Sequence, residues 1–291
     1  MNIKNIIALG TTATAVIGAG IYGGLKIAKG VEWFKNYSKL IPYTVQSVKD
    51  SNLTNDDDYV LTAHRGFRAV APEDTLPAYE EAGKAGYWGA ECDTYRTRDG
   101  VWIVHHDPVT TRMMDKSRVI ELSSYDELLG LTYTNGHNID KYPYLRICTL
   151  EDFFKTCAKY GMTCTVELKY NRNRAHYQEI IDLQKKYGVE ASYIAFSFED
   201  LVDFRKITDA PLYYLVEDIT DEAIEKAKSL ENCGISYNCN DERNTDNDCA
   251  NIKKAHAAGV TTATWTCDSL ELMEKLVRAG TRYITTNCIT Y

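Results

Sequence analysis

From residue 59 onward, short runs of β-branched, aromatic and small apolar residues recur at 59–64, 89–95, 101–106, 162–169, 192–197, 211–216, 234–238, 260–266 and 283–286. Between them the apolar positions change to helical spacing. After Thr149, for example, Leu150, Phe153, Phe154 and Cys157 form an i, i+3, i+4 stripe with the threonine placed to cap it. Strands alternating with helices predict a parallel sheet. One pair of runs breaks the pattern. Arg98-Asp99-Gly100 stands between the second run and the third, and a parallel crossover needs about a dozen residues or more. Those two runs are therefore expected to form an antiparallel hairpin with Asp99-Gly100 at its turn. Setting aside its return strand leaves eight parallel strands, which predicts an α/β fold of the (β/α)8 TIM-barrel type, with its chemistry at the C-terminal strand ends. An open doubly wound sheet is the alternative, but no glycine-rich nucleotide fingerprint follows the first strand.

The N-terminal pattern is different. Residues 5–25, between Lys4 and Lys26, carry no charge, a length that suits one helical crossing of a hydrocarbon core. The expectation is an N-terminal transmembrane helix acting as an anchor over residues 1–29, followed by a juxtamembrane stalk over 30–58 and a barrel over 59–291. A cleaved signal peptide is the competing reading. Lys26, Lys29, Lys35 and Lys39 follow the span while Lys4 precedes it, which places the catalytic part on the cytoplasmic side. The nine cysteines are scattered with no CxxC pair and are read as free or buried thiols of a reducing compartment. The net charge of −8 argues against a nucleic-acid partner. A protein this acidic that handles a phosphate anion must focus positive charge locally, through a metal ion or a few placed Arg and Lys side chains.

Polar residues gather where the predicted strands end. The first run closes with His64-Arg65-Gly66. The second holds Glu91 and Asp93, two apart and so on one face, and the fourth holds Glu167 and Lys169 in the same relation. Carboxylates pointing into a barrel are costly unless they meet a counter-ion. Glu91, Asp93 and Glu167 therefore predict a hard divalent cation, and an ion-pair network with Arg65, Arg96 and Lys169 is the plainer alternative. With a two-residue hairpin loop, Asp93 lies opposite His106 on the same face; a loop one residue longer brings His105 there instead. His64 and His106, flanking a metal-bound phosphate, suit acid–base work, and Arg65 and Lys169 suit phosphate binding.

These residues fall into an ordered set: His64-Arg65-Gly66, Pro72-Glu73-Asp74-Thr75, Glu91-Cys92-Asp93, Thr97-Arg98-Asp99-Gly100, His106-Asp107-Pro108, Thr149-Leu150-Glu151 and Glu167-Leu168-Lys169. The set resembles the glycerophosphodiester phosphodiesterases over about residues 60–287. The resemblance implies a (β/α)8 barrel with one divalent cation (Mg2+ or Ca2+), and hydrolysis of glycerophosphodiesters to glycerol 3-phosphate and an alcohol. It implies Glu91, Asp93 and Glu167 as metal ligands, His64 and His106 as the catalytic pair, and Arg65 and Lys169 on the phosphate. Glu73 falls near the glycerol or the metal, and Trp265 as a wall for the glycerol unit. In the scheme usual for that family, the glycerol 2-hydroxyl attacks phosphorus and water opens the resulting cyclic phosphate. Residues 108–147 correspond to an insertion after the hairpin. This chain departs from the family pattern at Asp74, where Asn is frequent, and at Asn287, where Asp follows Thr. A lysophospholipase D acting on membrane lysophospholipids and a catalytically inactive, membrane-tethered binding module are the alternative functions.

Overall fold

The computed structural model of the protein describes residues 43–54, 56–169, 174–239 and 245–291. Among the described residues twelve strands follow in chain order: β1 (Gln46–Ser47), β2 (Val60–Ala63), β3 (Gly89–Arg96), β4 (Trp102–Val104), β5 (Cys148–Thr149), β6 (Thr163–Leu168), β7 (Ala191–Ala195), β8 (Leu212–Val216), β9 (Cys233–Asn238), β10 (Thr262–Trp265), β11 (Tyr283–Thr286) and β12 (Ile289–Thr290). All nine predicted runs are strands. Eight of them, β2, β3 and β6 through β11, pair in parallel and in sequence order, and the β2–β3 pairing closes the ring. The helices are α1 (Leu76–Lys84), α2 (Tyr125–Leu129), α3 (Leu150–Tyr160), α4 (Tyr177–Tyr187), α5 (Phe198–Arg205), α6 (Asp221–Lys228), α7 (Thr245–Ala257) and α8 (Leu270–Ala279). The protein is a closed eight-stranded parallel barrel of the TIM type.

Local chemistry places the elements where the pattern predicts. Thr149 accepts the Asp152 amide hydrogen at 3.0 Å while the Asp152 carboxylate takes the Thr149 amide at 3.4 Å, a reciprocal cap that starts α3. Leu150, Phe153, Phe154 and Cys157 of that helix are fully buried against the barrel. Strands buried on both faces need long apolar runs, which is why the runs were readable without strict alternation.

The hairpin corrects an expectation. Its register is Thr94↔Val104, Tyr95↔Ile103 and Arg96↔Trp102, one residue away from a two-residue turn. The loop has three residues, Arg98, Asp99 and Gly100, closed by the Thr97 amide on the Val101 carbonyl at 2.9 Å. Gly100 stands at φ +94°, the left-handed position that a three-residue hairpin loop requires. Thr97 donates its hydroxyl to Asp99 Oδ1 at 2.7 Å, holding the longer turn.

Residues 108–147, the expected insertion after the hairpin, are more than a solvated loop. They carry a small core of their own. Met113, Met114, Ile120, Leu128, Leu131, Tyr133, Leu145 and Ile147 are buried together against Tyr95 and Ile103 of the hairpin. Of the tyrosines, Tyr133 is buried and Tyr144 exposed. The described part of the expected stalk also packs on the barrel. β1 pairs in parallel with β12, and Tyr43, Val48 and Leu53 lie against the main core. The predicted membrane span, residues 5–25, lies outside the described residues, and no described helix is long and apolar enough to cross a membrane. All nine cysteines are free thiols, seven of them buried.

Candidate active site

β3 and β6 lie side by side with Asp93 opposite Glu167, and Glu91 two residues before Asp93 faces the same way. The three carboxylates converge, each with an oxygen within 4.8 Å of the others. All three are buried. Like charges this close in a dry site push protons back on. Burial and then the Asp93 charge raise the Glu91 carboxyl well above the usual carboxylate range. Burial pushes Glu167 up to about 7, with Lys169 opposing the rise and Asp93 adding to it. Asp93 goes the other way. Against the cost of burial, the Lys169, His106 and Arg65 charges hold it well below the ordinary range.

Two of the three expected cations, Arg65 and Lys169, meet these carboxylates; Arg96 pairs with Glu179 instead. Lys169 Nζ bridges Asp93 Oδ1 and Glu167 Oε1, at 2.7 Å from each. Arg65 donates its backbone N–H to Glu91 Oε2 at 2.9 Å from a left-handed backbone, φ +56°. Its guanidinium reaches Glu73 Oε1 at 2.9 Å and lies 3.1 Å from Asp93 Oδ2. That last approach is not aligned as a hydrogen bond, and Asp93 Oδ2 is a buried acceptor without a donor. The donor set fits a hard divalent cation: oxygen atoms only, three carboxylates from two strands, and one buried oxygen left unsatisfied.

His64, just past the end of β2, has Nδ1 2.7 Å from Asn287 Oδ1 beyond β11. Burial and the charges of Arg65 and Arg68 hold its imidazole well below the ordinary value. His106 has Nδ1 2.7 Å from Asp107 Oδ1. Burial, Arg65 and Lys169 lower it to about 4, and Asp93 and Asp107 oppose that shift. Both imidazoles therefore sit in the fields of the same two groups, Arg65 and Asp93. In the observed register His105 is the residue opposite Asp93, and its amide bonds the Asp93 carbonyl at 2.9 Å. The ladder ends at Val104, however, and the chain bends through residues 106–108. His105 Nδ1 turns to the Asp107 backbone, with its N–H and carbonyl at 3.1 and 2.8 Å, and the ring is 1% exposed. His106 keeps 35% of its side chain exposed beside the carboxylates. His106 therefore lies beside the carboxylates although the two-residue register that pointed to it is not the one observed.

Glu73 is enclosed by three arginines. Its Oε1 meets Arg65 and Arg112, and its Oε2 meets Arg68 at 2.7 Å, leaving the residue 4% exposed. Arg112 also binds Asp107 Oδ2 at 2.6 Å, so the insertion supplies a residue that braces His106. Trp265 is half-buried above the barrel interior, its ring edge-on to Phe196 at 5.6 Å and its indole N–H 3.3 Å from the Ser236 carbonyl. Arg68, Asp107, Arg112 and Asp268 were not singled out from the sequence. Only Asp107, within His106-Asp107-Pro108, carried a local signal.

A model of the glycerophosphoryl diester phosphodiesterase family matches residues 64–290. The chain belongs to this family. It is an enzyme of the phosphoric diester hydrolase class, of the glycerophosphodiester phosphodiesterase type. Among sequence relatives, the uncharacterized protein YqiK of Bacillus subtilis is 26% identical over 76% of this chain and 91% of its own. Glycerophosphodiester phosphodiesterase 1 of Mus musculus is 33% identical over 39% of this chain, which spans 34% of that protein. Among solved structures, a glycerophosphodiester phosphodiesterase from Parabacteroides distasonis aligns at TM-score 0.66 and 25% identity, covering 79% of this chain and 93% of that one. A phosphodiesterase from Oleispira antarctica, in complex with the product sn-glycerol-3-phosphate, shares the fold at TM-score 0.69 and 22% identity over 83% of this chain and 96% of its own.

Proposed function

We propose that this family member hydrolyses glycerophosphodiesters to glycerol 3-phosphate and an alcohol, with one divalent cation, Mg2+ or Ca2+, held by Glu91, Asp93 and Glu167. The observation that carries the reading is the convergence of those three carboxylates beside two imidazoles that share Arg65 and Asp93 as neighbours. The cation, when bound, supplies positive charge that polarises the phosphoryl oxygens. Arg65 and Lys169 hold the anionic phosphate, Arg65 through its planar fork of donors. One imidazole takes the proton of the glycerol 2-hydroxyl as that oxygen bonds to phosphorus. The other gives a proton to the departing alkoxide as its P–O bond breaks. Water then opens the cyclic phosphate with the two roles exchanged. The bound product of the Oleispira relative agrees with the glycerol 3-phosphate half of the substrate.

The test is release of the alcohol from a panel of glycerophosphodiesters and from lysophosphatidylcholine, with added Mg2+ or Ca2+ and with chelator. Turnover of the water-soluble diesters that stops in chelator is expected. Turnover unaffected by chelator defeats the metal reading, and turnover confined to the lysophospholipid selects a lysophospholipase D. Full activity in both His64→Ala and His106→Ala removes the acid–base assignment. The uncharged stretch at residues 5–25 and the lysines after it support attachment to a membrane with the barrel on the cytoplasmic side. Membrane fractionation with and without residues 1–30 tests this, and full solubility of both forms rejects it.

A further inference from the structure

We infer that Asn287 is the positioning residue for His64, and that its amide selects the imidazole tautomer carrying hydrogen on Nδ1 and leaves Nε2 as the basic nitrogen toward the substrate. This rests on the acid–base role proposed for His64. Asn and Gln amides are ambiguous in orientation, but this one is fixed by its other partner. Asn287 Nδ2 donates to Asp268 Oδ2 at 2.6 Å, and a carboxylate oxygen can only accept. Asn287 Oδ1 is therefore the atom facing His64, at 2.7 Å. An amide oxygen has no proton to give, so the hydrogen between them belongs to His64 Nδ1. The remaining ring nitrogen then holds a lone pair whenever the imidazole is neutral.

The clamp behind Asn287 is well built. Asp268 Oδ1 also accepts the Asn287 backbone N–H at 2.7 Å and the Thr286 hydroxyl at 3.1 Å, so side chain and main chain of the residue are held by one carboxylate. Gln46 Nε2 donates to the Asp268 carbonyl at 2.7 Å from β1, a strand that precedes the family-matched residues. Asn287 is 4% exposed. The Thr266 hydroxyl stands 3.5 Å from the same His64 nitrogen, too far to compete with the amide. His106 has a carboxylate at the equivalent nitrogen. The two imidazoles are thus held by partners of different charge.

The experiment uses the full chain, labelled with 15N-histidine, at about pH 7.5, with the His64 resonances assigned by their loss in His64→Ala. The unsubstituted protein is expected to show a pyrrole-type Nδ1 and a pyridine-type Nε2 at His64. Asn287→Leu removes the acceptor while keeping the shape. It is expected to lower kcat by roughly 10–100-fold, the usual scale for losing an orienting partner, with KM changed less than about threefold and the tautomer no longer uniform. Asn287→Asp replaces the donor to Asp268 by an oxygen but keeps an acceptor toward His64, so it should retain the Nδ1–H tautomer that the leucine variant loses. An Nε2–H tautomer in the unsubstituted protein overturns the inference even if no variant folds. So does an Asn287→Leu enzyme with unchanged kcat. Full turnover by His64→Ala instead defeats the underlying role of His64, and the tautomer measurement still decides the inference.

Discussion

Glu73→Gln is expected to destabilise the barrel by about 3–5 kcal/mol, the scale for removing one partner from a buried charge cluster. The structure explains why the change is not conservative. Both oxygens of Glu73 accept from guanidinium groups, Arg65 and Arg112 on one and Arg68 on the other, in a residue 4% exposed. Glutamine keeps one acceptor and turns the other into an NH2 group facing arginine donors. It also leaves three positive charges without their common counter-charge. For a domain of this size each kcal/mol moves Tm by roughly 2–4 °C, so the drop is expected at about 6–20 °C. Against a total stability of about 5–15 kcal/mol that is a large fraction. The pH dependence has a definite sign. Against the cost of burial, Arg68, Arg65 and Arg112 hold the Glu73 carboxyl well below its ordinary 4.5. The carboxylate's contribution is then fully present above the unfolded value and is lost as pH falls through the depressed folded one. Thermal unfolding followed by circular dichroism from pH 4 to 8 checks both parts. The gap between wild type and variant should be constant above about pH 5.5 and narrow in acid. A Tm change below about 2 °C, or a gap that widens in acid, refutes the reasoning.

Three further outcomes follow from the same geometry. Because Glu91 and Glu167 are raised by burial and neighbouring charge, Glu167 to about 7, a cation must displace protons below neutrality; affinity should rise from pH 5.5 to 7.5, by up to about tenfold per pH unit for each proton released. Calorimetry in two buffers of different ionisation enthalpy measures that release, and equal affinities across the range contradict it. Glu91→Ala should lose cation-dependent turnover while remaining folded, and persistence of full activity there would separate catalysis from the carboxylate cluster. Asp107→Ala frees His106 Nδ1 and one contact of Arg112, and should lower kcat by roughly 10–100-fold with a smaller effect on KM; steady-state kinetics on the same glycerophosphodiester decides it.

The barrel was legible because its strands are buried on both faces, which forces apolar runs, and because a gap as short as Arg98-Asp99-Gly100 cannot cross over. The length of that turn was not legible, since it depends on the Thr97–Asp99 side-chain bond and on the positive φ of Gly100. The convergence of Glu91, Asp93 and Glu167 was readable from spacing: two residues apart on a strand means one face, and strand order did the rest. His106 shows the limit of register arguments. Pairing rules describe a ladder only while it lasts, and here it ends at Val104, so the side chain that reaches the site is set by a bend. The supporting residues were hidden for a different reason. His64 and Asn287 are 223 positions apart, and Glu73 and Arg112 are 39 apart across the hairpin. These pairs exist only once the barrel has closed and the insertion has folded onto it.

The charge inventory of the site also explains how a chain of net charge −8 can take an anionic substrate. Arg65, Arg68, Arg112 and Lys169 form one connected ion-pair network with Glu73, Asp93, Asp107 and Glu167, and Glu91 joins it through the Arg65 backbone N–H. Four cations against five ionised carboxylates leave the network one charge negative, a poor receptor for phosphate. Raised values at Glu91 and Glu167 are the protein's own partial remedy, since a proton on either removes that excess. On the proposed reading a divalent cation does this more completely, turning the network from minus one to plus one without protonating anything. Asp93 and Glu167, which engage the Arg65 and Lys169 nitrogens, would then have the cation as a competing partner. On that reading a bound cation would loosen two side chains for the phosphate as well as polarise it. Phosphate binding should accordingly weaken in chelator even in an inactive His64→Ala enzyme. Unchanged product affinity in that variant, with and without cation, would show that the arginine and lysine suffice by themselves.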